Sequence, residues 1–362
     1  MKSDVYQIHL NRVSRSFALG ISELQEPLRE YVGFAYLFCR LIDTIEDAVW
    51  PVGLGANQQQ LQFTQLIGFL DQPPSEQAFE LWRSRMPEGL PEGEQLLLAD
   101  SYLLFEDYHR LPTKIREILR GPLLTMIRGM SAFVSIKERN EIRLRNLLEL
   151  NHYCFFVAGV VGEILTGLAN YLNNSNEKPT AELLLESFHF GLFLQKINIL
   201  KDQAEDAQRG LFFFGDKNAV VVTLREHATK AKQYVLSLPD AWGDFRLFCT
   251  FSLSLGLISL PFILNPDEGS QKISRDHTKM LMSHLKELNS KASQLGEIIQ
   301  NGIDQIPMGR AAIDPVHTDR LQADQLQADQ LQAGRADHSR FDPGSLYEGQ
   351  LSQDKIRNFF VS

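Results

Sequence analysis

Three carboxylates, Asp43, Glu46 and Asp47, close the apolar run YVGFAYLFCRLIDTIED at 31–47. The same D-x-x-E-D spacing returns at Asp202, Glu205 and Asp206 in FLQKINILKDQAED. Residues three and four apart share a helix face, so Tyr36, Arg40, Asp43 and Asp47 fall on one line with Glu46 beside it. Gln195 and Asn198 lie on the side of the second cluster, one and two turns earlier. Like charges at this spacing weaken a helix unless a cation sits over them, and an adjoining buried run raises the cost. Two such clusters on apolar helices can face each other across a cavity and share hard divalent ions. All-oxygen ligands with open positions suit Mg²⁺, which completes its shell with phosphate and water. One D-x-x-E-D alone reads most simply as a solvated helix end; two copies, each ending an apolar run, do not.

A di-iron bundle is the rival metal chemistry. Glu149/His152 and Glu186/His189 are two E-x-x-H pairs, but that site takes a further Glu from each of two other helices. Glu46 could be one; no separate helix between His152 and Glu186 supplies the other, since Glu163 belongs to the helix of His152. Both histidines read as ordinary polar residues near helix starts.

The elements that must position these acids are helical. Apolar periodicity marks helices over roughly 26–48, 57–71, 95–109, 114–136, 142–172, 181–208, 225–237, 244–263 and 274–302, with loops at Gly-, Pro- and Asn-rich stretches. AVVVTL at 219–224 is the one β-branched run. The helices near 142–172 and 181–208 are apolar on most sides and belong at the centre of an α-helical domain. The expected fold is a single all-α domain over 1–305. Beyond it, 306–362 reads as a low-complexity, disordered tail: Leu321, Leu326 and Leu331 step by five, about 140° apart on a helix, and form no apolar face. NFFVS near the end reads as a sticky segment. The uncharged stretch 248–264 is short for a membrane span, carries Pro261, and reads as a buried core helix. A net charge of −9 argues against a nucleic-acid partner. Cys39, Cys154 and Cys249 lie far apart in apolar runs and read as buried residues of a reducing compartment.

The pieces SRSF (14–17), YLFCRLIDTIED (36–47), NHYCFFVAGVVGEILTGL (151–168), GLFLQKINILKDQAED (191–206) and, more weakly, FCTFSLSLGLISL (248–260) occur in the order found in squalene synthases. The chain resembles that group within the squalene/phytoene synthase family of trans-isoprenyl transferases. The resemblance implies the isoprenoid synthase fold, a helical bundle around a central cavity. Across that cavity the two acidic motifs hold Mg²⁺ on the diphosphates of two farnesyl diphosphates. By the same resemblance Asp43, Glu46, Asp47, Asp202, Glu205 and Asp206 are metal ligands. Arg40, Ser14, Arg15 and Ser16 are diphosphate contacts, although Ser14 by itself reads as a helix N-cap. Tyr36 and Tyr153 stand by the reacting carbons, Gln195 and Asn198 form the polar pair before the second motif, and Phe248 lines the deep apolar half of the cavity. Without the resemblance, Tyr153 and Phe248 read as core.

The implied reaction is head-to-head condensation through presqualene diphosphate, completed by NADPH reduction to squalene. The alternatives are a dehydrosqualene or phytoene-type synthase, a presqualene diphosphate synthase without reduction, or a non-catalytic binding member of the family. KISR at 272–275 keeps the outer basic residues, Lys272 and Arg275, of a stretch associated with NADPH phosphates. Where the family continues with Gly-Arg, an aromatic and Trp-Pro after the second motif, this chain has AQRGLFFFGDK, with Arg209 standing in for the arginine. The expected setting is a cytoplasmic monomer. No C-terminal membrane helix is evident, and a peripheral contact with the inner membrane face suits a lipid product.

Overall fold

Apolar residues recurring at helical spacing build the molecule. The computed structural model describes residues 3–51, 55–137, 141–173, 178–213, 217–264, 273–307 and 342–360. The N-terminal half contains α1 (Ser3–Val13), α2 (Arg15–Ser22), α3 (Leu28–Asp47), α4 (Gly55–Asp71), α5 (Glu76–Arg83), α6 (Glu92–Asp100), α7 (Tyr102–Arg110) and α8 (Thr113–Ser135). A two-residue strand β1 (Ile142–Arg143) precedes α9 (Leu147–Cys154), a π turn (Phe155–Gly159) and α10 (Val160–Leu172). The second half holds α11 (Ala181–Gln208), β2 (Leu211–Phe212), α12 (Lys217–Ser237), α13 (Gly243–Leu264), α14 (Arg275–Leu288) and α15 (Ala292–Asp304). This is the expected all-α architecture.

The central layer is α3, α10 and α11. α10 packs between α3 and α11, while α8 closes over α3 and α10 from one side and α12 and α13 flank α11 on the other. On α3, Phe34, Leu37, Phe38, Leu41, Ile42 and Ile45 are fully buried. Phe38 meets Phe105 edge-on at 5.4 Å, and Phe69, Phe79 and Trp82 extend the aromatic cluster under α4 and α5.

Several expected helices break. The reach 95–109 splits at Ser101, whose hydroxyl turns back onto the Leu98 carbonyl at 2.9 Å. The reach 142–172 divides into β1, α9, the π turn and α10. AVVVTL lies inside α12, where Val220, Val221 and Leu224 are buried; burial of that face outweighs β-branched propensity. α1, α2 and α5 lie outside the expected reaches. Two stretches, Leu147–Leu172 and Asp240–Leu264, are long and apolar enough to cross a membrane, yet 61% of each window is buried inside the protein. The second contains the run read as a core helix.

The expected tail is corrected at both ends. Ile306 is in the core, 1% exposed, with Arg225 donating to its carbonyl at 3.1 Å. Residues 342–360 return as two short helices, Pro343–Leu346 and Gln353–Phe359. Tyr347 and Ile356 are buried, so apolar anchors hold this segment on the body where the low-complexity reading had none. The five-residue repeat lies outside the described residues.

Candidate active site

The acidic end of α3 is built by a clamp of side chains from elsewhere. The Gln59 amide, on α4, donates to the carbonyls of Ile45 (2.9 Å) and Glu46 (3.0 Å). The Trp50 indole also donates to Ile45, at 3.0 Å, and Lys137 donates to Gln59 Oε1 at 2.8 Å. A helix C-terminus carries partial negative charge, so three carboxylates there are held against the dipole. Burial, opposed by Arg40 and aggravated by Asp47, pushes Asp43 up to about 7. Glu46, 4% exposed, is pushed up to about 8 by burial and Asp47, with Lys137 opposing.

Three cations answer this charge. Arg40 lies 3.9 Å from Asp43 and also binds Glu94, buried on α6. Lys137 is the second, its own charge disfavoured by burial and favoured by Glu46 and Asp47. Arg209 is the third: its guanidinium binds Asp47 at 2.8 Å and Asp206 as well. One side chain therefore joins the first acidic motif to the second. Asp206 is buried, with its carboxyl raised by that burial against the pull of Arg209. Asp202 is half-buried and pairs with Lys201 at 3.1 Å, and Glu205 is exposed.

Beyond Arg209 the chain turns at Gly210, whose φ of +79° is a conformation glycine adopts without strain. Leu211 and Phe212 then pair in parallel with Ile142 and Arg143, and the Arg143 guanidinium lies 4.0 Å over the Phe212 ring. This bridge brings Phe213 to 5.0 Å from the ring of Tyr153. Tyr153 is 3% exposed, packs edge-on to Phe133 at 5.3 Å, and donates to Glu46 at 3.3 Å. A metal-side carboxylate and an aromatic wall thus meet at one phenol. Gly129 on α8 leaves room for Phe156 against that wall.

Tyr36 is stacked on Phe17 at 5.5 Å, and Phe17 lies tilted against Phe248 at 6.5 Å. Ser14 sits at the N-cap position of α2 without capping it; burial raises the Tyr36 phenol, with Ser14 and Arg40 opposing. Ser16 is exposed, and the Arg15 side chain lies outside the described residues. Gln195 is half-buried, and Asn198, exposed, accepts from Lys201 at 3.4 Å. Arg275 is exposed in the first turn of α14; Lys272 lies outside the described residues. The two E-x-x-H pairs serve other ends: Glu149 accepts from Arg145, while His152 packs on Phe360. His189 is corrected in place. It sits two turns into α11, bonded at 2.8 Å to His227, which in turn meets buried Lys196 at 2.8 Å.

Among the described residues no three Asp, Glu, His or Cys side chains close on one another as a metal-binding group. What the site offers instead is unused polar capacity. Asp43 Oδ1, Arg40 Nε and Arg209 Nε are all buried without a hydrogen-bond partner among the described residues. Such groups are costly unless a ligand satisfies them. A free carboxylate oxygen suits a hard cation and free guanidinium donors suit a phosphate, so the donor set fits Mg²⁺ with a diphosphate. Glu94, Gln59, Lys137, Phe17 and Phe213 were not legible as site residues. They come from separate elements, and only the fold assembles them.

Comparison with known proteins gives a concordant picture. The family model described as squalene/phytoene synthase matches residues 10–215. The squalene synthase ERG9 of Candida albicans is 32% identical over 205 residues, which are 57% of this chain and 43% of that protein. The squalene synthase ERG9 of Saccharomyces cerevisiae is 31% identical over 207 residues, 57% and 44% of the two chains. The matched stretch thus spans less than half the length of these relatives. The solved complex of TcSQS with the ligand BPH1237 superposes with a TM-score of 0.66 at 22% identity, covering 90% of this chain and 98% of that one. That likeness is one of fold.

Proposed function

The chain belongs to the squalene/phytoene synthase family, and from that premise we propose that it joins two farnesyl diphosphates head to head through presqualene diphosphate and reduces the product with NADPH to squalene. The observation that carries this reading is Arg209 spanning Asp47 and Asp206 beside the unsatisfied Asp43 Oδ1 and Arg40 Nε. An allylic diphosphate ionises when its departing charge is neutralised, and this is where charge of both signs converges with unused valence.

In this reading Asp43, Glu46, Asp47, Asp202, Glu205 and Asp206 hold Mg²⁺. The bound ions supply Lewis-acid neutralisation of the diphosphate. Arg40 and Arg209 turn their free donors to phosphate oxygens, with Ser14, Arg15, Ser16, Gln195 and Asn198 as further polar contacts. Tyr153, held between Phe133 and Phe213, places a phenol against Glu46, where a proton can pass between them. Tyr36, Phe17 and Phe248 give π faces that steady a carbocation while excluding water. The catalytic unit is the helical body with the segment 342–360 packed on it, acting as a cytoplasmic monomer in peripheral contact with the membrane.

For NADPH the support is narrower. Arg275, exposed and without an ion pair among the described residues, suits a cofactor phosphate. The second reading is therefore the same condensation without reduction. Incubation with farnesyl diphosphate and Mg²⁺, with and without NADPH, separates them by product. Squalene formed only with NADPH supports the first. Dehydrosqualene or presqualene diphosphate unaffected by NADPH replaces it with the second, and no pyrophosphate under any condition removes both in favour of a binding protein.

A further inference from the structure

Residues 342–360 form a strap across the outside of the helices that carry Tyr153. The strap closes on itself through Asp342 and Arg357 at 2.6 Å. It anchors by Glu348 to Arg128 and to the Thr125 hydroxyl on α8. On α10, Glu163 is 0% exposed. Its two oxygens accept from the Tyr347 hydroxyl and the Gln350 backbone N–H, each at 2.6 Å. A buried carboxylate satisfied by the strap ties the strap firmly to the body.

Phe359 and Phe360 then reach α9, the π turn and α11. Phe360 meets the His152 ring edge-on at 4.4 Å and the Phe155 ring at 5.4 Å. Phe359 lies 5.7 Å from Phe188 and 4.8 Å from His189. Residues 152 and 155 are three apart and share a helix face. Tyr153 points away from that face, to Glu46, Phe133 and Phe213. α9 is a short helix that runs straight into a π turn; its first turn is held by Asn146, which accepts from the Glu149 N–H at 2.9 Å, and by Glu149, which accepts from the Arg145 N–H at 2.8 Å. Phe360 thus packs on the outer face of the helix whose inner face carries the phenol.

We propose that the strap is a positioning element for Tyr153, acting through the contact of Phe360 with His152 and Phe155. The proposal rests on the reading that Tyr153 works at the reacting carbons. A displacement on the order of 1 Å at such a group costs about 100-fold in rate, so a contact on the far side of the helix is enough to matter.

The test is a double-mutant cycle in the full-length chain, following turnover of farnesyl diphosphate. Phe360→Ala should lower kcat about tenfold or more with KM little changed in the parent background, and by less than about twofold in Tyr153→Phe. Phe360→Trp, which keeps a ring on His152, should restore most of the loss. Phe360→Leu, which keeps the apolar anchor, provides a milder variant whose loss should follow the same non-additivity. Equal fold losses in both backgrounds, or no loss at all, overturn the proposal. A Tyr153→Phe enzyme with parental kcat instead removes the assumed role of Tyr153, and a parent without turnover removes the proposed function.

Discussion

Asp47 on α3 and Arg209 at the C-terminal end of α11 meet at 2.8 Å, and the same guanidinium binds Asp206. The two acidic motifs, more than 150 residues apart in the chain, are thereby one electrostatic unit. Removing the cation exposes the two carboxylates to each other. Arg209→Gln is expected to cost about 2 kcal/mol of stability in metal-free buffer, since charged partners are left unpaired. Mg²⁺ should then raise the melting temperature more in the variant than in the parent, because the ion takes over the neutralisation. Equal Mg²⁺ shifts in both proteins would show that Arg209 and the ion do not answer the same charge.

The Gln59 clamp yields a second expectation. Its amide is 0% exposed and makes three hydrogen bonds, to Ile45, Glu46 and Lys137. Gln59→Leu keeps volume but leaves the Glu46 carbonyl and the ammonium short of partners, at a cost of about 2–3 kcal/mol. Urea unfolding measures this directly. A variant as stable as the parent would mean that the end of α3 is held by packing alone.

Acid stability should report the buried histidines. His189 is held down to about 4 from 6.5, first by burial and then by Lys230 and Lys196. His227 is pushed well below its ordinary value by burial, Lys196 and His189. Folded, both bind protons less readily than unfolded, so stability is present above about pH 6.5 and lost as pH falls towards about 4. His189→Asn should flatten that loss by roughly 3 kcal/mol between these limits. Parallel stability curves for parent and variant, measured by urea titration from pH 7 to pH 4, would contradict it.

Much of this was legible in the sequence because helical spacing is local. The line Tyr36–Arg40–Asp43–Asp47 and the twin cluster at Asp202–Asp206 follow from periodicity, and α11 falls where its apolar run places it. The partners of these residues were not legible. Glu94 meets Arg40 across 54 residues of chain and Lys137 meets Gln59 across 78; no spacing rule connects them. The expected tail failed for a related reason. The repeat leucines form no face, which says nothing of Tyr347, Glu348 and Phe360, whose partners lie far upstream on α10, α8 and α9. Of NFFVS, Phe359 and Phe360 do stick to something: Phe155, Phe188 and the two histidines of the rejected di-iron motif; Val361 and Ser362 lie outside the described residues.

Pyrophosphate release from farnesyl diphosphate in Mg²⁺, compared among the parent, Asp43→Asn and Asp202→Asn, tests the central claim that both acidic motifs ionise one substrate site. Each substitution replaces a metal-suited carboxylate by an amide of the same shape. The account predicts that release falls at least about 1000-fold in either variant, with the helical signal and melting temperature near those of the parent. Parental release from both folded variants would contradict it.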